Sequence, residues 1–203
     1  MKIHLHAPLI ALFAACTVVA QPVDSQRPDI MVKSTIDSVM SAIHSDPAAR
    51  SGDPDAVNRI VEQQFLPHTD FMRTTRYALG NAWAQATPAQ QQALFTQFQT
   101  LLAHTYAAQL VQMSDQSVQF RFPPMAAVAP SATDAMVKTV VTTNGDTMNI
   151  DYRVAKTGAG WKIYDINMMG AWMIQIYRQQ FADQIARNGI DGLVTFLAAH
   201  NQR

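Results

Sequence analysis

Cysteine is almost missing from this 203-residue chain, with Cys16 the only one, so no internal disulfide and no cysteine-rich metal site can form. Glutamate is as scarce: Glu62 stands alone, and the polar residues are drawn heavily from nineteen Gln. Neither sign of charge is in excess, since 15 Lys and Arg balance 15 Asp and Glu, which argues against nucleic acid as the main partner because phosphate binding needs a cationic surplus. There is no P-loop, no dinucleotide fingerprint and no Gly-x-Ser-x-Gly elbow. His44, His68, His104 and His200 are dispersed without metal-ligand spacing, so neither a metal nor a cofactor is expected.

What is present is ordinary in bulk and biased in detail. An apolar share of 48% suits a globular core, and the length suffices for one domain of substantial size. The bias is eleven Met, a flexible and polarizable side chain suited to surfaces that adapt to variable apolar shapes.

Residues 1–20 read as an export signal: Lys2, an apolar stretch over 9–19, and the small-residue pattern Val18-Val19-Ala20. Removal of this leader leaves residues 21–203 as one domain with no cysteine. A competing reading makes Cys16 the lipidated residue of a lipobox over Leu12-Phe13-Ala14-Ala15-Cys16. Both imply an oxidising compartment, in which the core alone supplies stability.

Periodicity divides the rest into helices over 29–113, strands over 117–166 and helices over 170–200. Ile30, Ile36, Val39, Met40 and Ile43 share one helical face. Asp53-Pro54 opens a second helix that Pro67 ends, and Asp70 opens a third that Gly80 closes. Thr87-Pro88-Ala89-Gln90 is a capping box ahead of Leu94, Phe98, Leu101, Leu102 and Tyr106 at helical spacing. Val118, Phe120 and Phe122 alternate with polar residues, and Asn144-Gly145 joins two β-rich runs as a hairpin. In the second run Met148, Ile150, Tyr152 and Val154 share a face. A helix over 171–187 stops at Asn188-Gly189, and Asp191 opens the last one. The expected fold is α+β: helices packed on a curved antiparallel sheet of about four strands, a cone like that of nuclear-transport-factor-2-like folds, with additional helices at both ends.

One arrangement suggests catalysis. Tyr164-Asp165, with Asp151 on a neighbouring strand, could form the acid-base pocket of a cone-fold enzyme. Adjacent strand residues point to opposite faces, however, and Asp165 is better read as a backbone hydrogen-bond acceptor at the strand end. A different signal is the stretch Met168-Met169-Gly170-Ala171-Trp172-Met173, which with Met72, Met136 and Met148 suggests an adaptable apolar pocket between sheet and helices.

Several stretches in order resemble the MlaC or toluene-tolerance family of periplasmic phospholipid-binding proteins. They are Leu79-Gly80-Asn81-Ala82-Trp83, Ala86-Thr87-Pro88-Ala89-Gln90-Gln91, Trp161-Lys162-Ile163-Tyr164-Asp165-Ile166, Met169-Gly170, Tyr177-Arg178-Gln179-Gln180-Phe181 and Gly189-Ile190-Asp191-Gly192-Leu193. The resemblance implies a non-enzymatic monomeric carrier that shuttles phospholipid between the outer membrane and an inner-membrane ABC transporter, maintaining lipid asymmetry. Its implied partners are an MCE-domain transporter complex and an outer-membrane lipoprotein–porin complex. The implied lipid-binding residues are Phe71, Met72, Leu102, Tyr106, Met148, Ile150, Tyr152, Met169, Trp172, Met173 and Ile176. The chain departs from the family pattern at Asn81 and Ala84, where Arg is common, and at Trp172, where a small residue is usual and where an indole would narrow the pocket.

Overall fold

The computed structural model describes residues 27–114, 117–143 and 145–202; the leader, Cys16 and Asn144 lie outside them. Helix α1 spans Pro28–Ser45 and buries Val32, Ile36, Val39 and Ile43 on one stripe. A single turn, α2 (Pro47–Arg50), leads to α3 (Pro54–Ile60), whose Asp53 carboxylate accepts from the Asp55 and Ala56 amides. The chain then widens into a π-helical turn over Val61–Phe65 and tightens into a 3₁₀ turn over Leu66–His68. Pro67 supplies the cause: in a continuing α-helix its ring would meet the carbonyl of Gln63, and it has no N–H to give. The expected helix therefore does not simply stop at Pro67 but changes pitch before it.

Asp70 accepts from the Arg73 amide to start α4 (Phe71–Leu79), which Gly80 closes at φ 55°. One turn, α5 (Ala82–Gln85), precedes α6 (Pro88–Met113). The expected capping box is formed in both directions: Thr87 Oγ1 accepts from the Gln90 amide, and the Thr87 amide donates to Gln90 Oε1. Two orphan donors are thereby satisfied where a 26-residue helix begins.

The sheet is an antiparallel meander of five strands in the order β1 (Gln119–Arg121), β2 (Asp134–Thr143), β3 (Asp146–Thr157), β4 (Gly160–Met168) and β5 (Ala171–Trp172). The fifth strand is two residues long and falls where the sequence pattern reads as helix. A register shift lies between Arg153 and Val154: Arg153 faces Asp165 while Val154 faces Ile163, leaving Tyr164 as the extra residue of a bulge. Ile163 and Ile166 thus sit on the same face although three positions apart.

Helix α7 (Met173–Asn201) covers α4 and α6 and bends at Gly189, whose φ of 67° and ψ of −176° are open essentially to glycine alone. The bend is where the sequence signals a stop. Asp191, read as the opening cap, takes a hydrogen bond from Gln90 Nε2 at 2.7 Å, tying the bend to the start of α6. Gly189→Ala should therefore lower stability by about 1–2 kcal/mol, measured by thermal or urea denaturation.

Candidate functional site

Three apolar clusters form the interior. One joins α4, α6 and α7 through Leu79, Leu94, Phe98 and Phe181. A second covers the inner sheet face with α1 through Val32, Ile36, Val137 and Val154. The third joins α1, α3 and α6 through Ile43, Val57 and Ala107. Where the three meet they leave a cavity of about 270 Å³.

Its floor is the sheet: Ile150 and Tyr152 from β3, and Ile163, Ile166 and Met168 from β4. Its walls are helical, with Val39 and Met40 from α1, Val61 and Phe65 from the π turn, Phe71 from α4, Leu102 and Tyr106 from α6, and Met173 from α7. Polar lining groups come from several elements: Thr69 and Thr74 just before and on α4, Tyr164 and Asp165 on β4, and Thr96, Gln99 and Thr100 on α6. Asn58 and Glu62 lie one turn apart on α3 and the π turn. Glu62 and Thr96 are the exposed residues among those lining the cavity, so they mark its mouth.

The buried phenols of the interior are uncharged. Burial raises the Tyr152 hydroxyl well above the usual phenol range, aided by the nearby Asp151 carboxylate. Burial likewise raises Tyr106, and Tyr177 is pushed up to about 12 mainly by burial. These phenols stay protonated at neutral pH and offer hydroxyl dipoles, not charge. Helix α6 carries no Lys, Arg, Asp or Glu along its whole length.

Of the residues implied by the resemblance, Phe71, Leu102, Tyr106, Ile150, Tyr152 and Met173 line this cavity. Met72, Met148, Met169, Trp172 and Ile176 do not. Met72 and Ile176 are on outward helix faces at 43% and 38% exposure, and Met169 is 77% exposed at the tip of the β4–β5 turn. Met148 faces inward but belongs to the sheet cluster beyond the cavity. Trp172 lies with its ring 3.8 Å under the Arg153 guanidinium, so it does not narrow the pocket. The methionine-lined pocket does exist, but Met40, Met113, Met168 and Met173 make it. Exposed Met136 is not among its walls.

The sequence patterns do not point to the lining from α1 and the π turn, nor to the pair Ile163 and Ile166. A signal for that pair does lie in the sequence: apolar residues at 161, 163, 166 and 168 change parity midway, the mark of a bulge.

The acid-base arrangement is otherwise engaged. Asp165 is fully buried; its Oδ1 accepts from the amides of Ile166 and Ile174, both at 3.0 Å, and its Oδ2 from Arg153 at 3.1 Å. It thus caps the first turn of α7 from a neighbouring strand, the backbone-acceptor role expected of it. Burial raises its carboxyl above the usual range, against the opposing pull of the Ile174 amide and of Arg153. The Tyr164 ring lies 4.1 Å from the Arg73 guanidinium and edge-on to Tyr77, held for packing. Among the described residues no group of acidic, histidine or cysteine side chains could hold a metal, and no helix is long and apolar enough to cross a membrane.

The family described as MlaC protein matches residues 33–199. The chain belongs to the MlaC family. A relative of this MlaC chain is the intermembrane phospholipid transport system binding protein MlaC of Haemophilus influenzae, 20% identical over 190 residues, covering 92% of this chain and 88% of that protein. The toluene tolerance protein ttg2D of Pseudomonas putida is 26% identical over 196 residues, covering 90% of this chain and 82% of that one. A solved structure of the phospholipid-binding protein of Ralstonia solanacearum, in complex with a phospholipid, matches with TM-score 0.80 and 40% identity, over 86% of this chain and 96% of its own. The open five-stranded sheet with helices packed around it is thus the MlaC fold.

Proposed function

We propose that this protein is a periplasmic phospholipid carrier that takes lipid between the outer membrane and an inner-membrane ABC transporter complex. The observation that carries the reading is the cavity: apolar walls with a polar lip at one end match the shape of an amphiphile. The Ralstonia relative, 40% identical, was solved with a phospholipid, which supports the same cargo here. In this reading Phe71, Leu102, Tyr106, Ile150, Tyr152 and Met173 contact acyl chains.

Two 16-carbon chains carry about thirty methylenes, worth over 20 kcal/mol on leaving water at roughly 0.8 kcal/mol each. In transfer from a membrane this gain nearly cancels, because the chains leave one apolar medium for another. Direction must then come from docking partners: an outer-membrane lipoprotein–porin complex on one side and an MCE-domain complex on the other. Protein purified from a membrane-containing host should release about one mole or more of phospholipid per mole on solvent extraction. A lipid-free extract from folded protein would overturn the reading.

A further inference from the structure

The charges around the cavity are lopsided in a way that the neutral chain as a whole conceals. Among the described residues that line it, none is Lys or Arg, and two are acidic: Glu62 and Asp165. Asp165 is occupied, its oxygens taken by two backbone amides and by Arg153. That leaves Glu62, exposed at the mouth and engaged in none of the ion pairs found among the described residues. Helix α6 adds only uncharged polar groups to the lining, Thr96, Gln99, Thr100 and Tyr106. Arg59, three residues before Glu62, is exposed and is not part of the wall.

An amphiphile with its chains on the sheet floor brings its polar end to this lip. There it meets the Glu62 carboxylate, with no Lys or Arg among the described residues that line the cavity. An ammonium within about 4 Å of that carboxylate is attracted, and a head group of net negative charge is repelled. We infer that the mouth of the cavity selects phospholipids bearing an ammonium head group over anionic ones, with Glu62 as the selecting residue. The inference rests on the carrier reading above and adds to it a preference among cargoes. Because Glu62 is exposed, the selection is modest, a factor of about two to five.

The test incubates lipid-stripped mature protein with vesicles equimolar in phosphatidylethanolamine and phosphatidylglycerol of identical acyl chains, then counts the protein-bound lipids by mass spectrometry. Wild type should hold phosphatidylethanolamine in two- to fivefold excess, shrinking as salt is raised. Glu62→Gln should bring the ratio near one, and Glu62→Arg should invert it. A wild-type ratio equal to that of the vesicles, or an excess that persists in Glu62→Gln, would overturn the selectivity while leaving the carrier reading intact. Absence of any bound lipid in folded wild type would instead remove the carrier reading and the selectivity with it. Thermal midpoints matched to wild type establish that the two variants fold.

Discussion

Ala103→Trp should abolish phospholipid binding while the protein stays folded. Ala103 sits on α6 with its methyl group at the cavity wall, between Leu102 and the turn that bears Tyr106. An indole there projects into the volume that the acyl chains need, and the helix tolerates it because α6 is long and well capped at its start. Overpacking normally costs 1–3 kcal/mol, but here the added atoms enter open space and most of that cost is avoided. The expected result is a drop of at least tenfold in extracted phospholipid. A ligand that binds only the folded state raises stability by about 2.7 kcal/mol at a hundred times its Kd, so wild type should melt higher with lipid than without. Ala103→Trp should show no such difference. Ala108→Trp, on the exposed side of the same helix, should behave as wild type. Undiminished lipid in Ala103→Trp would place the acyl chains elsewhere.

Asp165→Ala should be among the most destabilising single changes in the chain. Its carboxylate is the acceptor for the Ile174 amide, and the substitution leaves that buried donor orphaned, with the Ile166 amide and the Arg153 guanidinium losing the same partner. An orphaned buried donor costs about 1–3 kcal/mol, and the lost side-chain volume adds to it, for roughly 2–4 kcal/mol in all. In a domain of this size that lowers Tm by about 5–12 °C. Asp165→Asn keeps an acceptor oxygen for both amides and should recover more than half of the loss. The two variants also separate hydrogen bonding from charge. Burial raises the Asp165 carboxyl above its unfolded value, so the folded state holds this proton more tightly. The resulting stability is present below the ordinary aspartate range and is lost as pH rises through the raised folded value. Denaturation in the Asn variant should lack that component, and an unchanged pH profile would show that Asp165 does not titrate differently in the two states.

The element boundaries were largely legible because their causes are local. Asp53-Pro54, Asp70 and the Thr87–Gln90 box each act within one helical turn, and each caps the helix its residues specify. The alternation of Met148, Ile150, Tyr152 and Val154 likewise marked the inward face of β3. Phe71, Leu102 and Tyr106 could be placed toward one interior because a helical stripe faces whatever it packs against.

The misplaced residues fail for a common reason. Met169 and Trp172 sit in a methionine-rich run that reads as pocket wall, yet a two-residue strand intervenes. Asn167 pairs with Trp172, and the turn between them points Met169 to solvent at φ 52°. Strand pairing at that edge, which no local pattern announces, decided the matter. Similarly, the bulge at Tyr164 exists because β4 must pair with β3 on both sides of a parity change, and it is what brings Ile163 and Ile166 together beneath the cavity.

Capping, periodicity and turn chemistry are contained in a few neighbouring residues, so the composition and order of the chain sufficed for its helices, its meander and its apolar interior. The cavity is of another kind. It is the space left where three clusters, drawn from α1 through α7 and the sheet, cannot all close on one another. The position of Glu62 at its rim follows from the pitch change ahead of Pro67. The sequence shows that glutamate is scarce, and only the packing of distant elements places its one glutamate, Glu62, at the rim of the cavity.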